Sequence, residues 1–388
     1  MAGVQTAGII GAGVAGLSTA IALAQRGWAV CVYEQAQALG DVGAGLQISP
    51  NGTRVLAALG VWDALWPTMF EPNSIIMRMG QSGRRICDIP LAGQARARWG
   101  APYVHIHRQD LVDGLKARLD QLCPNAVQFG AAVSVDDLMP QGFALIIAAD
   151  GVHSPTRSNL FGGTAAEFTG NIAWRALVPA ADVPQDLRPP KSATIWAGAR
   201  RHAVTTYVRG GDMINFVGIV ERGSWHSESW TGVGDKAQAM QDYAGWHPTI
   251  TTLLDRADMT HQWALLRRAP LTSWAQGNVV LIGDAAHPML PSLAQGAVQS
   301  LEDAWTLATM ATGVGPGDIP ATLQAFFERC IKRVSKVQRL SAANARMFHQ
   351  PTPTRRAMTY GPIWAVGKLA PWVLQQRQDW LFGYDVTG

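Results

Sequence analysis

The sequence predicts an α/β fold: a dinucleotide-binding Rossmann-like domain, an antiparallel β-sheet inserted into it, and helices at the C-terminus. Three observations predict it. Residues 9–35, IIGAGVAGLSTAIALAQRGWAVCVYEQ, run strand, glycine-rich turn, helix and strand. Two later apolar runs, ALIIAAD (144–150) and NVVLIGDAAH (278–287), read as buried strands, each ending on an acid and a glycine. Between them, IAWRALVP, HAVTTYVRG and MINFVGIVE within 168–220 are strand-like and parted by Pro/Gly-rich turns, as in an antiparallel sheet.

Taken in order, residues 7–12 form a first strand, 14–26 a helix and 28–34 a second strand, a single βαβ start. The loop GDVGAGLQISPNG (40–52) leads into a helix holding Val55, Leu56, Leu59 and Leu65. Residues 75–90 alternate as strands do, and HRQDLVDGLKARLDQL (107–122) reads as an amphipathic helix entered through Arg108. Helical pattern returns near 236–257, from about Gly296 to Ala311, and over 318–348, before an aromatic, Pro-rich tail. The expected division is 1–75, 104–165 and 272–342 for the dinucleotide domain, 76–103 and 166–271 for a substrate domain, and 343–388 for a helical tail.

Composition narrows the class. With 48% apolar and 15% charged residues over 388 positions, the chain can bury a large core and is not disordered. The net charge of +4 is scattered, without a run of five basic residues, which argues against nucleic acid and for a local basic pocket that holds a small anion. Cys31, Cys87, Cys123 and Cys330 lie far apart with no CxxC or Cys/His cluster, so reduced thiols in a cytoplasm are expected and no metal. No secretory signal is read, because glycines break the first apolar run at once. Residues 358–374 come nearest to a membrane span, but Lys368 and two prolines interrupt them; they are expected to pack on the protein.

Gly11, Gly13 and Gly16 give G-x-G-x-x-G between strand and helix. The first permits the tight turn, the second lets a pyrophosphate approach the backbone, and the third lets helix pack on strand. Glu34 ends the next strand, where a carboxylate accepts hydrogen bonds from a ribose diol and repels a 2′-phosphate. NAD and FAD both fit that pattern. Two further motifs separate them: ADGVHSPTR (149–157) and LIGDAAHPMLPSLAQGAVQSLEDA (281–304). Asp284 can bind the ribityl hydroxyls of a flavin, and the helix after Gly296 can aim its N–H groups at the O2 edge of an isoalloxazine ring. Either pair alone can be a turn; the three motifs in this order are hard to explain as turns.

With GAGVAG, YEQ, VGAGLQISPNG, HRQDL, ADGVHSPTR and GDAAHPMLPSLAQGAVQSLEDA spanning residues 9 to 304, the chain resembles the single-component FAD-dependent aromatic hydroxylases, class A flavoprotein monooxygenases. The tail DWLFGYD (379–385) is similar to the end of the salicylate, 3-hydroxybenzoate and 6-hydroxynicotinate hydroxylase branch. The resemblance implies a tightly bound FAD, with Gly11, Gly13 and Gly16 on the pyrophosphate and Glu34, with Gln35 beside it, at the adenosine ribose. It implies Gly43 in the VGAG loop, Arg108 at the phosphate–ribityl region, and Gly283–Asp284 on the pyrophosphate and ribityl chain. Pro291, Gly296, Ala297 and Val298 fall beside the flavin ring, and Asp150–Gly151 near both FAD and a visiting reduced nicotinamide. NADH or NADPH then has no Rossmann site of its own and is a transient guest. One departure stands out: most relatives carry a β-meander between the HRxDL helix and the ADG strand, whereas residues 123–150 are short, with Val133 left as the adenine contact.

The chemistry the resemblance implies is hydroxylation by a C4a-hydroperoxyflavin formed from NAD(P)H and O2, acting on a small hydroxylated aromatic or pyridine carboxylic acid. A phenolate reacts faster than a phenol, so a proton acceptor in the pocket is expected. His202 and Tyr207, in RRHAVTTYVRGG (200–211), are its candidates. Gln47 stands where the hydroxynicotinate members have His, which argues against that substrate. Arg84, Arg85, Arg175 and Arg209 are candidates for the substrate carboxylate, and His287 reads as loop structure near the flavin. The competing readings are a flavin dehydrogenase or reductase without oxygen insertion, and a non-catalytic FAD-binding protein. A monomer or homodimer is expected, without integral membrane contact.

Overall fold

The structure, a computed structural model, describes residues 4–40, 44–162, 164–223 and 233–388. The βαβ start folds as strand Thr6–Ile10, helix Val14–Ala24 and strand Ala29–Glu34. Its core faces are nearly all aliphatic, with Ile9, Leu17, Ile21, Leu23 and Val32 fully buried. These strands sit in a six-stranded sheet ordered Ala275–Gln276, Val279–Leu281, Leu145–Ala148, Thr6–Ile10, Ala29–Glu34, Val127–Phe129. Every pairing in it is parallel except the first, between Ala275–Gln276 and Val279–Leu281. The strands that carry the glycine turn, the ADG motif and the GD motif are therefore neighbours, and their C-terminal ends open on one edge. In doubly wound sheets that edge is where ligands bind.

A second sheet has eight strands, ordered Val233–Gly234, Thr260–Arg267, Glu167–Pro179, Met213–Glu221, Arg201–Val208, Ala193–Gly198, Ser74–Met79, Arg85–Pro90. It is antiparallel except where Ala193–Gly198 lies parallel to Ser74–Met79. Its two faces differ in partner. Ile172, Trp174, Ala176 and Val178, with Ala203 and Tyr207, pack against Ile250, Leu253 and Leu254 of the helix Pro248–Arg256. The opposite face, carrying Arg175, Leu177, Thr206 and Asn215, looks toward the parallel-sheet domain, where Asn215 Oδ1 accepts a hydrogen bond from Gly45 N at 2.9 Å. Gly45 begins a short ladder, Gly45–Ile48 against Val104–His107, that sits between the two domains.

In place of a meander, the short segment 123–150 forms the strand Val127–Phe129 and a helical turn Val135–Leu138. Ser134 and Asp137 close a capping box on that turn, satisfying the N–H groups of Ser134 and Asp137 locally. The tail is helical, as expected: Ile319–Phe348, Pro353–Leu369 and Pro371–Phe382. Tyr360 and Leu374 pack inward as expected for 358–374, while Trp364, Leu369 and Trp372 stay exposed. Among the described residues, no helix is long and apolar enough to cross a membrane.

The end of the chain is tied to the core through arginines. Arg333 forks onto Glu302, Nε to Oε2 and an Nη to Oε1, both at 2.7 Å, and donates to the carbonyls of Trp380 and Leu381. Glu302 also accepts from Asn51 Nδ2 at 2.6 Å, and Asn51 meets Gln295 Oε1 at 3.2 Å. Arg54 holds the carbonyls of Phe382 and Tyr384 from the other side. All four polar side chains Asn51, Gln295, Glu302 and Ser49 are buried, so this network is held in a low-dielectric interior where each bond counts.

Candidate active site

The site grows from the three strand ends. Gly11 turns with φ +101°, a conformation glycine adopts without strain, and Gly13 precedes the helix Val14–Ala24 with no side-chain cap and no acid in the first turn. That helix therefore offers its free N–H groups and positive dipole end to an anion. Side chains at Gly13, Gly151 and Gly296 would meet no protein atom within 4 Å. The helix Gly296–Met310 likewise starts without a side-chain cap or an acid. Two uncapped helix starts thus flank open space at the sheet edge.

Glu34 ends its strand as expected, and its carboxylate accepts Ala12 N at 2.8 Å and Ala36 N at 2.9 Å. Gln35 beside it is exposed. Ala131 N bonds Glu34 O, which brings the loop holding half-buried Val133 to the same end. Asp150 takes Thr156 N on Oδ2, and its Oδ1 is buried without a partner. Asp284 is exposed at the open strand end, with protein atoms crowded around it. Desolvation there pushes its carboxyl above the ordinary range, against the pull of His287 and Arg108.

Directly behind it, Asp303 is buried and bridges Gly283 N (2.9 Å) and His287 Nε2 (2.6 Å). Burial works against the His287 imidazolium, but the Asp303 carboxylate, its hydrogen bond and Asp284 outweigh it, so His287 titrates above its ordinary value. His287 is a positioning group for the GDAAH turn, as read from the sequence. Buried Arg157 braces the same turn, donating to the carbonyls of Ala285 and Ala286 at 3.0 and 2.7 Å.

The other wall is the inner face of the eight-stranded sheet. One row across it is His261, Arg175, Val217 and Val204; the next holds Leu177, Asn215 and Thr206. Arg175 stacks on Trp263 at 3.9 Å, and its Nε is buried without a partner. No carboxylate among the described residues pairs with it. Burial, and then the charge of Arg108, hold the guanidinium down to about 9. Gln47 sits on the interdomain ladder opposite His105, its Oε1 accepting the Tyr103 hydroxyl at 2.9 Å. Burial pushes the Tyr103 phenol up, so it stays a neutral donor. His105 is pushed down to about 3 by burial, against its bond to Tyr207 O, and is neutral.

Comparison with known proteins fits this geometry. An FAD binding domain family model matches residues 144–339, and an FAD dependent oxidoreductase model matches residues 7–46. The chain is 33% identical to the 3-amino-4-hydroxybenzoate 2-monooxygenase of Streptomyces platensis, covering 98% of this chain and 96% of that one. It is 32% identical to the 6-hydroxynicotinate 3-monooxygenase of Bordetella bronchiseptica, over 100% of this chain and 97% of that one. A solved salicylate hydroxylase substrate complex superimposes with a TM-score of 0.79 at 25% identity, covering 98% of this chain and 96% of that one. The chain belongs to the FAD-dependent aromatic hydroxylases.

In a flavin hydroxylase of this kind the open cradle at Gly13, Gly151 and Gly296, the two uncapped helix starts and the exposed carboxylate of Asp284 fit FAD. Polyanionic pyrophosphate would meet N–H groups there, and ribityl hydroxyls would meet a carboxylate. Gly16 and Gly283 act differently: both are packing positions, where a Cβ would strike Gly11 O and Ala15 respectively. Arg108 is exposed at the start of its helix, close enough to act on Asp284 and Arg175. Pro291 is exposed and Ala297 half-buried at the open side. The Val298 side chain is fully buried against Gly52, so only its backbone N–H can face a flavin ring. Gly43 lies outside the described residues.

Two readings of the pocket need correction. Tyr207 does not face the site: its hydroxyl donates to Pro189 O at 2.8 Å, and its ring packs in the outer core beside Phe70. His202 and Tyr207 are five residues apart on one strand, and side chains alternate, so they point to opposite faces. Thr206, four residues from His202, is the position that shares its face, bonded to Asn215 at 3.1 Å. That parity was readable in the sequence; Asp303, inside a helix of ordinary pattern, gave no signal. Of the arginines, Arg84 and Arg85 are exposed near the turn of an edge hairpin, and Arg209 is engaged by Asp110 and His107. Arg175 alone among the four candidates combines a cleft-facing position with a buried, unpartnered nitrogen.

Proposed function

We propose that this flavin hydroxylase uses NAD(P)H and O2 to hydroxylate a hydroxylated aromatic or pyridine carboxylic acid. The observation that carries the substrate class is Arg175, a half-buried cation whose Nε is buried and which has no carboxylate partner among the described residues, on the sheet wall opposite the flavin cradle. An unpaired cation in low dielectric is costly, and a ligand carboxylate relieves it. The named relatives act on amino-hydroxybenzoate and hydroxynicotinate, which also carry a ring hydroxyl and a carboxylate.

FAD, when bound, supplies electron transfer and oxygen activation. Gly11, Gly13, Asp284, Arg108 and the start of helix Gly296–Met310 hold it; Glu34, Gln35 and Val133 lie at its adenosine end, and Asp150–Gly151 near the visiting nicotinamide. Arg175 orients the substrate by its carboxylate. Gln47, fixed by Tyr103, offers its amide N–H₂ to a ring substituent. Val204 and Val217 line the wall with apolar surface that keeps water away from the ring. His202, on the same sheet face, takes the proton of the substrate hydroxyl. Burial and then neighbouring His349 push it well below its ordinary value, so it rests neutral and takes a proton on one ring nitrogen only by giving one up from the other. The enzyme works in the cytoplasm, as a monomer or homodimer, with its four unpaired cysteines reduced.

The test is NADH and NADPH oxidation by the purified holoenzyme against a panel of hydroxylated aromatic and pyridine carboxylic acids under isotopically labelled O2. One acid should stimulate oxidation and gain a single labelled oxygen. Stimulated oxidation with no oxygen in any product would make the enzyme a dehydrogenase or reductase and overturn the reading.

A further inference from the structure

His202 lies on the strand Arg201–Val208, in register with Ala197 and Ile219. Its Nδ1 is 2.6 Å from Nε2 of His349, the residue that ends the long helix Ile319–Phe348. The other nitrogen of His349, Nδ1, is 3.0 Å from Oε1 of Glu221. Both imidazoles are buried, at 2% and 6% exposure, whereas the Glu221 side chain is 36% exposed. Three titratable groups thus run in single file from the inner sheet wall to water.

We propose that His202, His349 and Glu221 form a relay that carries the substrate's hydroxyl proton out to solvent. The proposal rests on the reading of His202 as proton acceptor. As Nε2 of His202 takes the substrate proton, Nδ1 passes its own proton to Nε2 of His349. Nδ1 of His349 then gives its proton to Glu221, which releases it to water. Each imidazole ends neutral in its other tautomer, and no charge stays in the interior. When the product oxygen is reprotonated the sequence runs backward, and both rings return to their starting tautomers.

The surroundings favour neutral carriers. Burial holds His349 below its ordinary value although Glu221 pulls the other way. Phe348 packs on the His202 ring at 5.1 Å, and the Tyr243 hydroxyl donates to the His202 carbonyl, leaving the ring nitrogens to the relay. The cation nearest the exit is Arg200, paired with Glu221 through Oε2 at 3.1 Å, which leaves Oε1 for His349. Other ionisable groups around the chain are Arg201 on the same strand and Tyr360, whose hydroxyl donates to the Phe348 carbonyl. A purely structural His–His contact would not need a carboxylate behind it. A neutral side chain at 349 would then serve equally well.

The experiment uses the FAD-loaded enzyme and stopped-flow proton release to an indicator dye on binding 3-hydroxybenzoate, or whichever hydroxylated acid of the panel is turned over. His349→Gln and Glu221→Gln should slow proton release by ~10-fold or more, with FAD content and Tm near wild type. Small buffers such as imidazole should restore the rate in Glu221→Gln, where the entry is open to water. His202→Asn separates the two ideas. If it abolishes release while His349→Gln and Glu221→Gln leave the rate unchanged, the relay is wrong and His202 remains the acceptor. If His202→Asn itself releases the proton at the wild-type rate, the reading of His202 fails. Should His349→Gln fail to fold, Glu221→Gln at its half-open surface position decides alone.

Discussion

Replacing Arg175 by Met separates binding from folding, because its consequences have opposite signs. Among the described residues the guanidinium has no carboxylate partner, its Nε is buried unpaired, and Arg108 adds like charge. Met keeps the length and packs its sulfur on Trp263 where the cation now stacks at 3.9 Å. Removing an unpaired buried charge stabilises the unliganded protein by about 1–3 kcal/mol. Losing a charge-assisted contact to the substrate carboxylate costs about 1.5–3 kcal/mol. At about 1.4 kcal/mol per tenfold, that is roughly 10- to 150-fold in affinity. The sign with pH follows. The group is held at about 9 in the folded protein, well below the ordinary guanidinium range, so between the two the unfolded chain binds more protons. Its penalty is fully present below pH about 9 and fades as pH climbs toward the ordinary guanidinium range, so the gain of Arg175→Met is largest at neutral pH. Wild-type affinity for the acid should fall as pH rises through about 9, while the variant stays flat in that window. The assay pairs Tm of the FAD-loaded protein with the Kd for an aromatic acid and for the matching amide. A lower Tm with unchanged acid affinity, or an equal loss for acid and amide, would show that Arg175 serves packing instead.

Three further outcomes are expected. Asp284→Ala should weaken FAD binding more than 10-fold in titration, since one charge-assisted hydrogen bond is worth about 1.5–3 kcal/mol; unchanged affinity would make Asp284 a turn residue. Tyr207→Phe should leave product formed per NAD(P)H consumed unchanged and lower stability by about 1 kcal/mol in denaturant unfolding, because only the bond to Pro189 O is lost. Arg333→Met leaves the 5%-exposed Glu302 without its cation and frees the carbonyls of Trp380 and Leu381. A loss of about 3–5 kcal/mol is expected, with the C-terminal segment opened to limited proteolysis; wild-type stability would refute the buried-pair account.

Local signals carried most of the fold. The glycine turn, the two strands ending on acid and glycine, and the long amphipathic helices were legible because each depends on residues close in sequence. What pairs with what was not. The ladder Gly45–Ile48 with Val104–His107 joins short segments 59 residues apart, one of them within a loop-like glycine run. The helical turn at Val135–Leu138 was hidden in a segment judged only by its shortness, although Ser134 and Asp137 spell a capping box. In the tail, expected to be helical, Pro353 and Pro371 stand at helix starts, where proline is a favoured first-turn residue.

The cofactor side of the site was legible for the same local reason, and the substrate side was not. Gly13, Glu34, Asp150 and Asp284 stand at strand ends, where sequence position and spatial position coincide. The substrate wall depends on which face each strand turns inward, and that is fixed by packing across the sheet. Outer residues 172, 174, 176 and 178 are buried under helices, so both faces of Glu167–Pro179 look apolar and alternation is blurred around Arg175. On Arg201–Val208 both faces are again buried, and the aromatic Tyr207 attracted attention over the modest Thr206. One certain inward residue would have settled the rest, since a period of two assigns every neighbour. Asn215 is that residue: its bond to Gly45 fixes the inner face of Met213–Glu221, and register then assigns Thr206, Leu177 and Arg175 in turn. The same bond ties the sheet wall to the ladder that carries Gln47, so in the proposed site the two domains would align the substrate together.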